Sequence, residues 1–275
     1  MKIIGRIASN PLLRNLQIKM TFKIATWNVN SLRVRLPHVL AWIRDVEPDL
    51  LALQEIKVVD AEFPYDAFSE AGYKVVVSGQ KTYNGVTLLS REKLEEVITD
   101  IPGQDHQRRV IGATVGAIRV LNLYVPNGEN VVSEKYQYKL NWLKQLGVFL
   151  KTELKKHTKM ILLGDFNIAP EEIDVHDPNL WEGQVLFSEK ERQAYRDILH
   201  IGFHDCYRKL APLEKQFTWW DYRLNAFKRN RGLRIDHILA SNLLASYCTS
   251  CMIDQAPRAW ERPSDHAPVV AQFDL

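Results

Sequence analysis

Two short runs constrain the fold of this chain more than any other feature. Leu50-Leu51-Ala52-Leu53 and Met160-Ile161-Leu162-Leu163 are wholly apolar, and each breaks off into polar residues, Gln54-Glu55 and Gly164-Asp165-Phe166-Asn167. Runs this short between polar breaks read as strands buried on both faces rather than as helices. The fold must therefore cover a sheet from both sides.

Alternation in Phe22-Lys23-Ile24-Ala25-Thr26-Trp27 predicts a further strand. Similar runs predict strands over residues 73–78, 85–90, 109–115, 118–125, 233–239, 247–253 and 267–273. A helix is expected after Ser31, which can cap it, with Leu36, Leu40 and Ile43 on one face and Pro48 as its stop. The clearest helix runs over 133–157, where Tyr136, Leu140, Leu143, Leu146, Leu150 and Leu154 recur at helical spacing. Another is expected over 188–200. Strands come in clusters with few helices between them, which excludes a regular βαβ alternation. The pattern predicts an α/β fold of two mixed β-sheets flanked by helices.

Of the 275 residues, 46% are hydrophobic, enough for one large core and too many for a disordered chain. With no Gly/Ser-rich linker and no internal repeat, residues 21–275 read as one domain. Residues 1–20 carry Lys2, Arg6, Arg14 and Lys19 but no acid. They read as an N-terminal extension, either disordered or the result of a start assigned too early, with Met20 the true start.

The net charge of +3 permits nucleic-acid binding without demanding it. No apolar run is long enough to span a bilayer. Of three cysteines, Cys248 and Cys251 form a C-x-x-C. It stands in a strand-like run and has no second pair, which argues against both a zinc ribbon and a thioredoxin-type redox pair. An odd count without a disulfide framework suggests a reducing compartment, the cytoplasm.

Several predicted strands end in residues suited to metal or phosphate. Trp27 leads to Asn28 and Asn30, Leu53 to Glu55, Leu123 to Tyr124 and Asn127, and Leu163 to Asp165 and Asn167; Ser264-Asp265-His266 precedes the last strand. Strand ends are where α/β enzymes gather their sites. Hydrolysing a phosphodiester needs an activated water, a cation beside the phosphate and help for the leaving oxygen. Carboxylates and amide carbonyls suit Mg²⁺ or Mn²⁺. Glu55 is the leading metal ligand, and Asp165 the leading group to position or deprotonate water. His266 can hydrogen-bond the phosphate or carry a proton, and Asp236 can fix its ring. Singly, each is a common turn, cap or structural residue; their order along one chain carries the argument. Arg33, Arg35, Lys57, Arg223, Lys228, Arg229, Arg231 and Arg234 lie in or beside these loops as candidate phosphate contacts.

The motif series Trp27-Asn28-Val29-Asn30-Ser31-Leu32-Arg33, Leu53-Gln54-Glu55-Ile56-Lys57, Asn84-Gly85-Val86, Tyr124-Val125-Pro126-Asn127-Gly128, Gly164-Asp165-Phe166-Asn167, Gly232-Leu233-Arg234-Ile235-Asp236-His237 and Pro263-Ser264-Asp265-His266 resembles that of the exonuclease III family, which includes the apurinic/apyrimidinic endonucleases. The resemblance runs from about Phe22 to the C-terminus. It implies a four-layered α/β sandwich and hydrolysis of the DNA backbone at abasic sites and 3′ ends with Mg²⁺ or Mn²⁺. Asn28 and Glu55 match the metal-site positions, and Asp165, Asn167, Asp265 and His266 are further candidate ligands. Tyr124 matches a tyrosine on the scissile phosphate. Asp165 matches the residue that handles water, with Asn167 its neighbour at the phosphate. Asp236 and His266 match a paired acid and imidazole, and Asn127 a further active-site amide. On the DNA side, Trp219, Leu233 and Ile235 would line a pocket for an extruded abasic sugar and Arg223 would enter the helix stack, with Arg33, Lys57 and Arg234 as further contacts. The expected partner is double-stranded DNA with abasic sites, nicks or blocked 3′ ends, bound by a monomer. His176, after the Asp165 motif, is expected at the rim of the site. A lipid-phosphate substrate, or a non-catalytic nucleic-acid-binding regulator, is the alternative on the same fold.

Overall fold

The computed structural model describes residues 21–103 and 106–275; the extension expected over residues 1–20 lies outside them. One six-stranded sheet contains β1 (Thr21–Asn28), β2 (Leu50–Gln54), β3 (Lys74–Ser78), β4 (Val86–Ser90), β11 (Cys248–Ile253) and β12 (Val269–Asp274), in the order β11-β12-β1-β2-β4-β3. The other contains β5 (Glu95–Ile98), β6 (Val110–Val115), β7 (Ile118–Tyr124), β8 (Met160–Asp165), β9 (Phe203–Asp205) and β10 (Asp236–Ser241), in the order β5-β6-β7-β8-β10-β9. Both are mixed. Only the central pairs, β1 with β2 and β7 with β8, run parallel. Each parallel pair is joined by a helical crossover, through α1 (Leu32–Val46) and α3 (Glu134–Lys156).

Side-chain alternation builds the layers. Ile24, Leu50, Ala52, Val86 and Leu88 face Ile111, Ala113, Val120, Ile161, Leu163 and Ile238 in a core between the sheets. The opposite faces take the helices: Ala25, Trp27, Leu51 and Leu53 pack on Val39, Trp42 and Ile43 of α1, while Leu121, Leu123 and Leu162 pack on Trp142, Leu143, Leu146 and Leu150 of α3. The result is the α/β/β/α sandwich that the doubly covered apolar strands require. Among the described residues no helix is long and apolar enough to cross a membrane.

Ser31 does not cap α1 through its side chain. It sits at φ 92, its N–H donates to the Glu55 carbonyl at 2.7 Å, and its hydroxyl makes no capping bond. The residue serves the link to the loop after β2 instead. Ser133 and Ser188 do cap, Ser133 accepting from Tyr136 N on α3 and Ser188 forming a capping box with Glu191 on α5 (Glu189–His200). The three cysteines are free thiols.

Candidate active site

The topology itself gathers the polar strand ends. In a parallel pair both C-terminal ends lie on the same edge. Asn28 is opposite Gln54, one residue before Glu55, and Tyr124 is opposite Asp165. β10 runs antiparallel to β8, so its first residue, Asp236, is also opposite Asp165. Local chemistry holds the turn after β8. Gly164 has φ 139, and a Cβ there would lie 1.9 Å from the Leu123 carbonyl oxygen, so only glycine lets β8 run this close to β7. Asn167 then turns in the left-handed region at φ 49, with its N–H on Asp165 Oδ1 at 2.8 Å.

The segment 264–266 is latched onto β1. Ser264 Oγ donates to the Asn28 carbonyl at 2.7 Å and accepts the His266 N–H at 3.2 Å; Trp27 Nε1 donates to the His266 carbonyl at 3.1 Å. His266 is thereby held between two cross-strand carboxylates. Its Nδ1 is 2.8 Å from Asp236 Oδ2, while Nε2 comes only to 3.8 Å from Asp165 Oδ2, beyond hydrogen-bond reach.

One amide joins the two sheets across the site: Asn28 Nδ2 donates to Glu55 Oε1 at 2.8 Å and to Asp165 Oδ2 at 2.9 Å. Asn167 Nδ2 donates to the Val125 carbonyl at 3.0 Å, and its Oδ1 accepts from Asn127 Nδ2 at 3.0 Å. Burial lifts the Asp165 carboxyl to about 7, the charge of His266 opposing and that of Asp236 adding to the rise. Burial alone would strip the His266 imidazole of its proton, but the carboxylates of Asp236 and then Asp165 outweigh it and raise the imidazolium to about 10. Burial, reinforced by the Glu55 and Asp165 carboxylates, pushes the Tyr124 phenol far up, so it remains a donor.

Seven of the residues expected from sequence thus meet at one edge: Asn28, Glu55, Tyr124, Asp165, Asn167, Asp236 and His266. Asn127 adjoins them through Asn167. Asp265 does not join the carboxylates. Its oxygens accept from Asn30 Nδ2 at 3.0 Å and Trp219 Nε1 at 3.1 Å, so it anchors the loop carrying Trp219. Lys57 forms an ion pair of 2.9 Å with Glu55 and also donates to Asn30. Arg33 is exposed and paired with Glu62; Arg223 is exposed and paired with its neighbour Asp221.

Three expected DNA contacts are corrected. Arg234 is 1% exposed and bound to Asp174 and Asp205, not facing solvent. Leu233 and Ile235 are 0% and 1% exposed, packed with Ala169, Val175 and Phe187 in a small core on which Trp219 rests. The loop over residues 168–187 covers this segment, with Asp174 on Arg234 and with Ala169, Val175 and Phe187 on Leu233 and Ile235. His176, half-buried, donates its N–H to the Gly232 carbonyl at 3.1 Å and lies beside Trp181. Residues that a motif reading passes over include Arg109, whose guanidinium lies 4.8 Å from the Tyr124 ring centre, and Lys139. A lysine on the face that also carries Tyr136 and Leu143 was the available signal for the latter. A groove of about 910 Å³ between α3 and α5 holds none of these side chains.

A model of the endonuclease/exonuclease/phosphatase family matches residues 25–266. The chain belongs to that family. Exodeoxyribonuclease III of Haemophilus influenzae, a member, is 40% identical over 266 residues, spanning 91% of this chain and 99% of the relative. Two solved structures are similar throughout. The 3′ phosphatase NExo from Neisseria, bound to product DNA hairpin, has 46% identity and a TM-score of 0.91, covering 92% of this chain and 100% of its own. An AP endonuclease from Archaeoglobus fulgidus has 44% identity and a TM-score of 0.90, with the same coverage. These likenesses put the chain in the exonuclease III/AP endonuclease branch of the family.

Proposed function

We propose that this chain is a divalent-metal-dependent DNA-repair phosphodiesterase acting at abasic sites and at 3′ ends, and that it works as a monomer in the cytoplasm. The observation that carries the chemistry is the convergence of Glu55, Tyr124, Asp165, Asn167, Asp236 and His266 where the two parallel pairs end. The preference for DNA rests on the relatives, which are an exodeoxyribonuclease, a 3′ phosphatase and an AP endonuclease.

The donor set fits a hard cation. Ligand atoms of Glu55, Asp165 and His266 lie within 4.8 Å of one another, and two carboxylates converge on the single Asn28 amide. Glu55, with Asp165 and Asn28, would hold Mg²⁺ or Mn²⁺. Such an ion supplies positive charge at a phosphate oxygen and at the leaving oxygen. His266 serves better as donor than as ligand, since Asp236 occupies Nδ1 and keeps the ring protonated.

The protein's own part follows from the same geometry. Asp165 is placed to accept a proton from water, with its Oδ1 held by the Asn167 N–H and its Oδ2 by the Asn28 amide. The Nε2–H of His266 is free to donate to a phosphate oxygen as charge develops there. Asp236 fixes the ring and sustains its charge. Tyr124 adds a neutral donor beside Glu55 and Asp165, and the Asn127 amide, linked to Asn167, adds a further N–H. Trp219, braced by Leu233 and Asp265, offers an apolar wall to a sugar without a base, which is cheaper to extrude than a paired nucleotide.

The test is an activity panel with Mg²⁺ on an abasic duplex, a nicked duplex and a 3′-phosphate end, each repeated in EDTA. Cleavage that EDTA abolishes is expected. Inertness on all three DNAs together with turnover of a lipid phosphate would overturn the reading.

A further inference from the structure

Lys139 is fully buried on α3, with 0% of its side chain exposed, as is its partner Glu191 on α5. Its Nζ donates to three acceptors, which exhausts an ammonium: the Asn127 carbonyl at 3.0 Å, the Asn167 carbonyl at 2.6 Å, and Glu191 Oε1. Two of the three belong to the backbone of the active-site amides. One loop leaves β7 and the other leaves β8, so a helix-borne cation clamps the two loops to each other from behind.

The arrangement is specific. Two carbonyl dipoles aimed at one point repel unless a group with several donors and no acceptor lies between them, and lysine is such a group. The lane to that point is kept open by Gly128, at φ +97, where a Cβ would meet Lys139 Cδ at 3.2 Å and Val185 Cγ2 at 3.1 Å. Glu191 is fixed in turn by the Leu186 N–H at 3.0 Å and the Ser188 N–H at 3.1 Å, and Ser188 Oγ meets the Tyr136 hydroxyl at 2.6 Å. The clamp therefore has a rigid base of two helices.

We propose that Lys139, set by Glu191, is a positioning residue of the active site: it fixes the backbones of Asn127 and Asn167 so that their linked side chains face the scissile phosphate beside Asp165. This rests on the phosphodiester reading above. Displacing catalytic groups by about 1 Å can slow chemistry by as much as ~100-fold without much loss of substrate binding.

The test compares wild type, Glu191→Gln, Lys139→Met and the double variant Lys139→Met/Glu191→Gln for melting temperature and for kcat and KM on the DNA the wild type cleaves best. Lys139→Met strands a buried carboxylate and loses both stability and turnover. The double variant removes both charges and regains melting temperature, yet its kcat stays down by about 30-fold with KM moved less than about threefold. Glu191→Gln removes the counter-charge that sets Lys139, so kcat falls in the same sense as in Lys139→Met while KM moves less than about threefold. Wild-type kcat in the double variant overturns the positioning role. If the double variant does not fold, Lys139→Met assayed well below its melting temperature decides: wild-type kcat in that variant overturns the positioning role too. A wild type that cleaves no DNA overturns instead the functional reading on which the proposal depends.

Discussion

Arg234 separates a structural cation from a DNA-binding one. Its Nε and Nη2 donate to Asp174 at 2.7 and 3.1 Å, and Nη1 donates to Asp205 Oδ2 at 2.7 Å and to His237 Nδ1 at 3.0 Å. Both acids are buried, at 0% and 8% exposure. Removing one member of a buried ion pair costs about 3–5 kcal/mol, because the remaining charge is stranded. Here the two acids are not left bare. Asp174 keeps Arg208 at 2.6 Å, and Asp205 keeps the Tyr195 hydroxyl at 3.0 Å and the Arg208 N–H at 3.1 Å. Arg234→Met therefore belongs at the low end, about 3 kcal/mol, which lowers the melting temperature by about 6 °C at about 2 °C per kcal/mol for a chain of this size. The DNA side gives an independent readout. Affinity measured in EDTA across salt concentrations falls with a slope that loses about 0.9 for each phosphate contact removed. Arg234→Met leaves that slope unchanged. The exposed Arg231→Ala, a candidate phosphate contact on the loop before Leu233, is expected to do the reverse: a shallower slope and no change in melting. An unchanged melting temperature in Arg234→Met together with a slope reduced by about 0.9 would falsify the burial argument.

Two further outcomes follow from the same geometry. Asp165→Asn removes the group placed to take a proton from water while an amide oxygen can still accept the Asn167 N–H; turnover falls by at least about 100-fold, and DNA affinity in EDTA stays within a few-fold of wild type. Retention of wild-type turnover would assign the water to another residue. His237 is held neutral by burial and by the Arg234 guanidinium, with its pKa lowered to about 4 from 6.5. The unfolded chain thus binds a proton that the fold refuses as pH falls from 6.5 to about 4, so stability is full above 6.5 and about 3 kcal/mol is lost through that window. His237→Gln, which keeps the donor to the Ile168 carbonyl, should flatten that part of the curve in urea titrations; an identical pH profile in the variant would refute it.

The sheets were legible in the sequence because burial on both faces leaves a plain signal, a run with no polar residue. Shorter or more polar elements were not. β5 reads Glu95-Glu96-Val97-Ile98 at an edge, β9 has three residues and α2 (Tyr65–Glu70) six, too few for periodicity to show. The site was legible where a polar residue ends an apolar strand, as at Glu55 and Asp165, since two parallel pairs must bring such ends to one edge. It misled where polarity was taken for exposure. Leu233-Arg234-Ile235 alternates like a half-exposed strand, yet an ion network from Asp174 and Asp205 lets all three go under. Lys139 was hidden for the same reason: its three acceptors come from residues 127, 167 and 191, and nothing near it in sequence announces them.

The site needs the two sheets in one relative alignment, because Glu55 follows a strand of one and Tyr124 ends a strand of the other. Apolar packing between sheets is strong but non-directional, and it tolerates sliding. Direction comes from a buried polar bridge directly behind the site. Asn122 of β7 donates to the carbonyls of Leu53 and Thr87, each at 2.9 Å, and accepts from Gln54 Nε2 at 2.7 Å, which also bonds Thr26 Oγ1 at 2.8 Å. Asn122 is two residues before Tyr124 and Gln54 one before Glu55, so slippage at the bridge is slippage between those side chains. Asn122→Leu, close in volume, keeps the apolar contacts and removes the directional ones. It takes the side-chain donor from the Leu53 and Thr87 carbonyls and one acceptor from Gln54 Nε2, which keeps Thr26 Oγ1, and costs about 2–3 kcal/mol. The expected loss in kcat is about 10-fold, and it persists at temperatures where the variant is fully folded. Lost stability with an unchanged kcat would mean that apolar packing alone sets the alignment, and that the buried amides serve only to satisfy one another.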